Sequence, residues 1–286
     1  MTVRVTRDAE EFKTTVFAFL QRDPVLHSVL LATVQDRLSV AQGDEPDPYF
    51  FSLHGATDDV IGACLWTARK GIYLGGLAPH LAVEAADAVA TSRPDSVLLE
   101  GMADTARIFA KRWAELRGVT PREVDGICLY RLGELVPQNA QGSARPAFEA
   151  DAGLCAEWVD AYRLEAEPAP EPIPGAGRGE HDVEAWTLAR IAAGQMWLWQ
   201  YDGQPVSMLG HQIPVFGTTR IGPIYTPPAH RNHGYASALT AHVSAVLREE
   251  FPEVCLRTDL SNPTSNKIYR AIGYTPITTF TRYALT

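Results

Sequence analysis

Apolar residues along the chain recur with two periods, and stretches of the two alternate. In the second half, ARPAFEA opens as a strand. AGLCAEWVDAYRLEA and VEAWTLARIAAG then repeat apolar positions at helical spacing, the latter closed by Gly194. MWLWQYDGQPVSMLGHQIPV alternates as a hairpin that turns at Asp202-Gly203, a dipeptide suited to the backbone of a tight turn. TTRIGPIYTPP reads as a strand stopped by Pro227 and Pro228, which have no N–H to give a ladder. A helix over Arg231–Glu249 aligns Tyr235, Leu239, Val243 and Val246 on one face. VCLRTDL is then a strand, PTSNKIYRAIG a helix and TPITTFTRYAL a closing strand. The succession predicts an α+β fold in which an antiparallel hairpin feeds a sheet that continues through helical crossovers.

The first half runs through the same order. YFFSLHGATDDVIGACLWTA is a hairpin, GIYLGGL a strand, HLAVEAADAVATS a helix, SVLLEGM a strand, DTARIFAKRWAELRG a helix and VDGICLYRLGEL a strand. Short stretches align as well: YLGGL with RIGPI, and RIF (107–109) with KIY (267–269). We read an internal duplication, the alternative being two unrelated α+β halves. ELVPQNAQGSARP (134–146) has linker composition and puts the boundary between residues 1–138 and 139–286. A second break, EAEPAPEPIPGAGRGEH (165–181), is too rich in proline for helix or sheet and too long for an idle connection, so it is expected to cover a surface or border a site.

Composition narrows the class. The 286 residues are 46% hydrophobic and 9% aromatic, enough for a packed core. A net charge of −9 argues against nucleic-acid binding, which needs clustered Lys and Arg, and an acidic surface suits a cationic small substrate. Cys64, Cys128, Cys155 and Cys255 are scattered among apolar neighbours, as free buried thiols are. No run reaches membrane-spanning length and the start of the chain has no apolar leader core, so no membrane partner and a cytoplasmic setting are expected.

Candidate chemistry lies in two segments. In IYTPPAHRNHGYASAL a strand ends in a turn containing Gly234, followed by a helix with small residues at its start. Helix N-termini carry unsatisfied N–H groups and partial positive charge, and Gly234, Ala236 and Ser237 leave the backbone open to an anion, with Arg231 adding formal charge. Alone, such a turn is unspecific and reads first as a plain surface turn. In LRTDLSNPTSNKIYRAIGY, Asn262 suits an N-cap, Pro263 the first helical position and Gly273 the stop. Asn266 and Tyr269 share a face of that helix, either as capping and packing or as the lining of a slot. His230 and His233 have no further ligand beside them, so no metal is expected.

Together, RNHGYA and NPTSNKIYRAIGY closely resemble the two cofactor motifs of the GNAT acetyltransferase superfamily. Arg231, Gly234 and Ala236 match its Q/R-x-x-G-x-G/A loop; the asparagine-to-tyrosine helix with Gly273-Tyr274 resembles the second motif. The resemblance covers roughly residues 145–286. It implies two GNAT-like domains, each a mixed, mostly antiparallel twisted sheet flanked by helices, and acetyl-CoA as donor in a cleft where neighbouring strands splay. Ile224, Tyr225 and Thr226 would pair with the pantetheine arm. The pyrophosphate would lie on Arg231, Asn232, His233, Gly234, Tyr235, Ala236 and Ser237, with Asn262 and Asn266 bonded to pantetheine or phosphate. Tyr269 would face the sulfur and protonate the departing thiolate after an amine attacks the thioester.

The base that deprotonates the amine is open among His211, Asp259 and a water relay. In the first half, LAPHLAVEAADAV lacks the arginine and glycine of the turn, and Phe109 stands where Tyr269 does. That half resembles a GNAT domain that has lost its cofactor site. The expected activity is N-acetylation of a small-molecule or peptide amine; a non-catalytic acyl-CoA sensor and an enzyme using another acyl-CoA are the alternatives.

Overall fold

Residues 1–39, 46–68, 70–92, 98–166 and 183–286 are described by the computed structural model. The first half contains β1 (Thr2–Thr6), α1 (Ala9–Leu20), α2 (Ser28–Ser39), β2 (Tyr49–His54), β3 (Val60–Thr67), β4 (Gly71–Tyr73), α3 (Ala82–Ser92), β5 (Leu98–Met102), α4 (Ala103–Arg117) and β6 (Arg122–Leu132). The second contains β7 (Ser143–Pro146), α5 (Ala152–Ala166), α6 (Val183–Ala192), β8 (Met196–Tyr201), β9 (Gln204–His211), β10 (Thr218–Tyr225), α7 (Tyr235–Glu250), β11 (Glu253–Asp259), α8 (Pro263–Ile272) and β12 (Tyr274–Ala284). Both run strand, two helices, three strands, helix, strand, helix, strand. This is the order expected of a duplication, completed by β1, α1 and α2 ahead of the first hairpin. Among the described residues no helix is long and apolar enough to cross a membrane.

Local chemistry sets the ends of these elements. Asp8 caps α1 by accepting the N–H groups of Glu10 and Glu11. The β8–β9 hairpin turns at Asp202 and Gly203, both with positive φ (48° and 73°). The helix expected over Arg231–Glu249 begins later, at Tyr235. Asn232 (φ 66°) and Gly234 (φ 81°) are left-handed, so the α-helix cannot extend back through them. The expected linker is tied down rather than loose. The Val136 N–H donates to Ile272 O at 2.8 Å, the Trp199 indole N–H to Gln141 O at 2.8 Å, and Ser143–Pro146 pairs with β8. The proline-rich stretch beyond Ala166 lies outside the described residues.

All strands join one sheet in the order β1-β2-β3-β4-β5-β12-β6-β11-β10-β9-β8-β7. The two halves are therefore not laid side by side. The closing strand of each half is inserted into the other: β12 lies between β5 and β6, and β6 lies between β12 and β11. Pairing of β6 with β12 is antiparallel from Tyr274↔Leu132 to Ala284↔Arg122. Adjacent residues of a strand face opposite sides of the sheet, and the core divides accordingly. Leu129 and Cys255 pack with α1 and α2, whereas Cys128, Tyr130 and Leu256 pack with α7 and α8. Helices α1, α2, α5 and α6 cover one face, and α3, α4, α7 and α8 the other.

The interleaving predicts how the chain can be cut. A fragment of residues 1–138 keeps β5 and β6 but lacks the strand that pairs with both. It should be unfolded or aggregated when expressed alone, and recover native-like circular dichroism only when 139–286 is co-expressed. A monomeric, cooperatively melting 1–138 fragment would contradict this.

Candidate functional site

Strands β10 and β11 pair in parallel only from Thr218↔Glu253 to Ile221↔Leu256. Beyond that point β10 continues along β9 through Ile224↔Leu209 and Tyr225↔Met208, while β11 continues along β6 to Asp259↔Ile127. The two strands part, and the β11-facing edge of Ile224 and Tyr225 is left without a strand partner among the described residues. An edge of this kind accepts an extended ligand as an added strand.

Above the parting, β10 ends at Tyr225. Residues Pro228–His230 form a short 3-10 turn, and Gly234 N-caps α7 at φ 81°, ψ 3°. The Gly234 carbonyl accepts the Ala238 N–H at 2.9 Å, which opens the α-helix. The N–H groups of Tyr235, Ala236 and Ser237 thus point out of a positive helix end without intrahelical acceptors. A Cβ on Gly234 would meet only Asn139 O at 3.7 Å and Ala140 Cβ at 3.8 Å, so glycine is required there by φ and not by crowding. Next to this end lies a cleft of about 500 Å³ between Gln138 and Ser237 on one side and Thr264, Lys267, Ile268 and Ala271 on the other. Lys267 places a cation on its wall, and Gln138, from the expected linker, accepts from the Ser237 hydroxyl at 3.3 Å.

Asn262 caps α8, its Oδ1 accepting the Ser265 N–H at 3.0 Å, with Pro263 in the first turn. Gly273 ends the helix at φ 106°; a Cβ there would lie 1.8 Å from Glu134 O. Asn266, expected beside a ligand, is buried and engaged within the chain. Its Nδ2 donates to Asp259 O (2.8 Å) and Asn262 O (2.7 Å), and its Oδ1 accepts from the Tyr130 hydroxyl (2.8 Å). It therefore fixes the β11–α8 turn to β6. Half-buried Tyr269 lies beside the rings of Tyr130 and Tyr274, at 6.3 and 6.2 Å between centroids. Burial raises the pKa of its phenol, nearby Tyr162 adds to the rise, and a hydrogen bond with Ser265 opposes it.

Arg231 does not stand free to receive an anion. Its Nε donates to Thr226 O at 2.9 Å and its NH2 to Glu165 Oε2 at 2.6 Å. Glu165 Oε1 also accepts from the Tyr225 hydroxyl at 2.9 Å, so the end of α5 is clasped to the end of β10 and to the loop. Nothing in the sequence singled out Glu165, which opens the proline-rich stretch a long way from its partners in the chain. Of the candidate bases, His211 is the last residue of β9 and is buried, not an exposed loop residue. Burial lowers its pKa, opposed by hydrogen bonds with the backbone. The Asp259 carboxylate accepts the Ser261 N–H at 2.7 Å as a turn cap.

The equivalent place in the first half is filled. The Leu74 N–H bonds to Glu100 O at 2.8 Å, holding the chain after β4 against β5 where β10 leaves β11. Leu74, Leu77 and Phe109 are buried in one core cluster with α3 and α4, and the Thr105 hydroxyl donates to Leu77 O at 2.7 Å. Burial of each such side chain stabilises by roughly 2 kcal/mol. Opening this gap would forfeit most of the about 8 kcal/mol that a micromolar ligand supplies.

Residues 158–274 match the Acetyltransferase (GNAT) family. The fold is similar over nearly the whole chain to solved structures. One is an acetyltransferase of the GNAT family from Colwellia psychrerythraea, at 10% identity, covering 100% of both chains with a TM-score of 0.60. A GCN5-related N-acetyltransferase from Sphaerobacter thermophilus is similar at 16% identity over 99% of this chain and 94% of its own, with a TM-score of 0.60. A tandem GNAT protein from the clavulanic acid biosynthesis pathway is similar at 14% identity over 99% and 98%, with a TM-score of 0.54. At these identities the likeness is one of fold, and it extends to the tandem arrangement. No curated protein matches the chain in sequence.

The bonds of Asn266 lead to a stability prediction. Asn266→Ala leaves the buried Tyr130 hydroxyl without its acceptor and takes from the Asp259 and Asn262 carbonyls one of the two donors each has, and should lower unfolding free energy by about 1–3 kcal/mol in urea titrations. A loss below about 0.5 kcal/mol would show that the turn holds without it.

Proposed function

We propose that this chain, whose residues 158–274 match the GNAT acetyltransferase family and whose fold is similar to a tandem GNAT structure, is an N-acetyltransferase with one cofactor site, in the second half. The family draws its acyl group from acyl-CoA, typically acetyl-CoA. The observation that carries the proposal is the contrast between two equivalent places in one sheet. The second half has an unpaired strand edge below an open helix end; in the first half the same gap is closed by the Leu74 N–H bonded to Glu100 O.

The residues fit such a cofactor. The backbone of Ile224, Tyr225 and Thr226 offers the amide-bearing arm a ladder edge. The N–H groups of Tyr235, Ala236 and Ser237, with Gly234 leaving the approach bare, receive the pyrophosphate. Asn232 and His233 shape the turn, Asn262 presents its amide nitrogen from the cap of α8, and Lys267 adds charge along the cleft. Asn266 acts by holding the turn, and Arg231 by bracing the loop through Glu165. The cofactor supplies an activated thioester carbonyl. Tyr269 holds a proton for the leaving sulfur, and its raised pKa keeps the phenol protonated at neutral and mildly alkaline pH. With His211 and Asp259 engaged elsewhere, a water relay takes a proton from the ammonium of the small-molecule or peptide acceptor, and the free amine is the nucleophile.

Calorimetry with acetyl-CoA should give one site per chain. Gly234→Val should weaken that binding at least about 100-fold, because a branched residue resists φ 81° and disturbs the turn that presents the first N–H groups of α7. Unaltered affinity in a folded variant would remove the phosphate cradle.

Tyr269→Phe should leave stability and acetyl-CoA affinity close to wild type while slowing single-turnover acetylation roughly 100-fold. A chemical step at the parental rate would reduce Tyr269 to a wall of the slot. Cofactor binding without thiol release across a broad amine panel would point instead to an acyl-CoA sensor.

A further inference from the structure

On the face covered by α1, α2, α5 and α6, the first residue of α2 meets the root of β10 across the seam between the halves. Ser28, Thr218, Arg220 and Gln212 enclose a pocket of about 10 Å³ there, closed on its apolar side by Ala32 and Val215. A volume of that order holds a single water-sized particle.

The polar groups around this pocket have donors to give and few acceptors. Gln212 Oε1 already accepts from Arg190 at 2.8 Å, which leaves its amide N–H groups to face elsewhere. Thr218 is 4% exposed, and its hydroxyl has no hydrogen-bond partner among the described residues. Buried Ser28 and, one turn on, Ala32 bring the side of the first turn of α2 to the pocket wall.

Arg220 supplies the formal charge. Among the described residues its hydrogen bond is a long one, 3.5 Å from NH1 to Ser28 Oγ, and no carboxylate of the described residues lies within ion-pair range of it. Nearby carboxylates are committed to other arginines: Glu100 to Arg257, and Asp23 and Glu253 to Arg131. Asp36 acts on Arg220 only at longer range. Arg257 lies on the neighbouring strand two residues beyond Cys255, the partner of Arg220 in the ladder, and so adds a like charge on the same face. A partly buried cation next to another cation, facing a pocket of hydroxyl and amide donors, is short of negative charge.

We propose that this pocket binds a monatomic anion, chloride, held by Arg220, Thr218, Ser28 and Gln212. The ion joins α2 of the first half to β10 of the second and offsets the charge of Arg220. Water could serve the hydroxyls but leaves the guanidinium uncompensated. The site lies on the opposite end of β10 from the cofactor edge and does not depend on the acetyltransferase reading.

The test is thermal unfolding of the full chain at constant ionic strength while sodium chloride replaces sodium gluconate. The melting temperature should rise saturably by about 2–4 °C at chloride several times its dissociation constant. Bromide should do the same, and a bromide-soaked crystal should show anomalous density between Arg220 and Thr218. Thr218→Val, which keeps the volume, and Arg220→Gln should each abolish the increment; if the second fails to fold, the first suffices. Equal melting temperatures in the two salts would overturn the proposal. So would an increment that persists in Thr218→Val, or ordered water without anomalous signal in the pocket.

Discussion

The antiparallel pairing of β6 with β12 is the contact on which the molecule depends. Each is the last strand of its own half, and each completes the sheet of the other half. Because the pair sits at the centre of the sheet, both helical layers rest on it. Leu129 and Phe280 feed the core under α1 and α2, and Tyr130 and Tyr274 feed the core under α7 and α8. Separating the halves would expose ladder groups on four strands as well as the apolar surface of two cores, which is why the repeats form a single body rather than two beads.

The same pairing reaches the candidate site. Tyr130 arrives on β6 from the first half, and its hydroxyl holds Asn266, which in turn holds the turn that starts α8 and positions Tyr269. The candidate site belongs to the second half in sequence, but one of its supports comes from the first. Under the proposed function this gives the first half a physical part in the site through its closing strand.

Glu165 illustrates a different dependence. An arginine in a turn that opens a helix invites the reading that it contacts an anion. Here the guanidinium is drawn to a carboxylate and a carbonyl, so under the proposed function the contact to phosphate falls to the backbone N–H groups. Exposed ion pairs of this kind contribute little to stability, on the order of 0–1 kcal/mol. The contact's consequence is geometric: α5, β10 and the turn before α7 are held in one arrangement.

Local features were legible in the chain itself. Asn262 and Pro263 announced the start of α8, Gly273 its end, Asp202-Gly203 a hairpin, and Gly234 a turn, though not where α7 begins. Each acts through its own backbone or through neighbours a few residues away, so the sequence carries both halves of the interaction. The repeated order of elements was readable for the same reason, since periodicity of 2 or 3.6 residues records which face of each element is buried. Other features required the tertiary structure: the insertion of β12 between β5 and β6, the engagement of Asn266 by Tyr130, the capture of Arg231 by Glu165, and the burial of His211. A strand edge or a buried amide does not encode which distant residue satisfies it. That choice is made by shape and hydrogen-bond completion when the layers pack, across separations where the linear pattern holds no information.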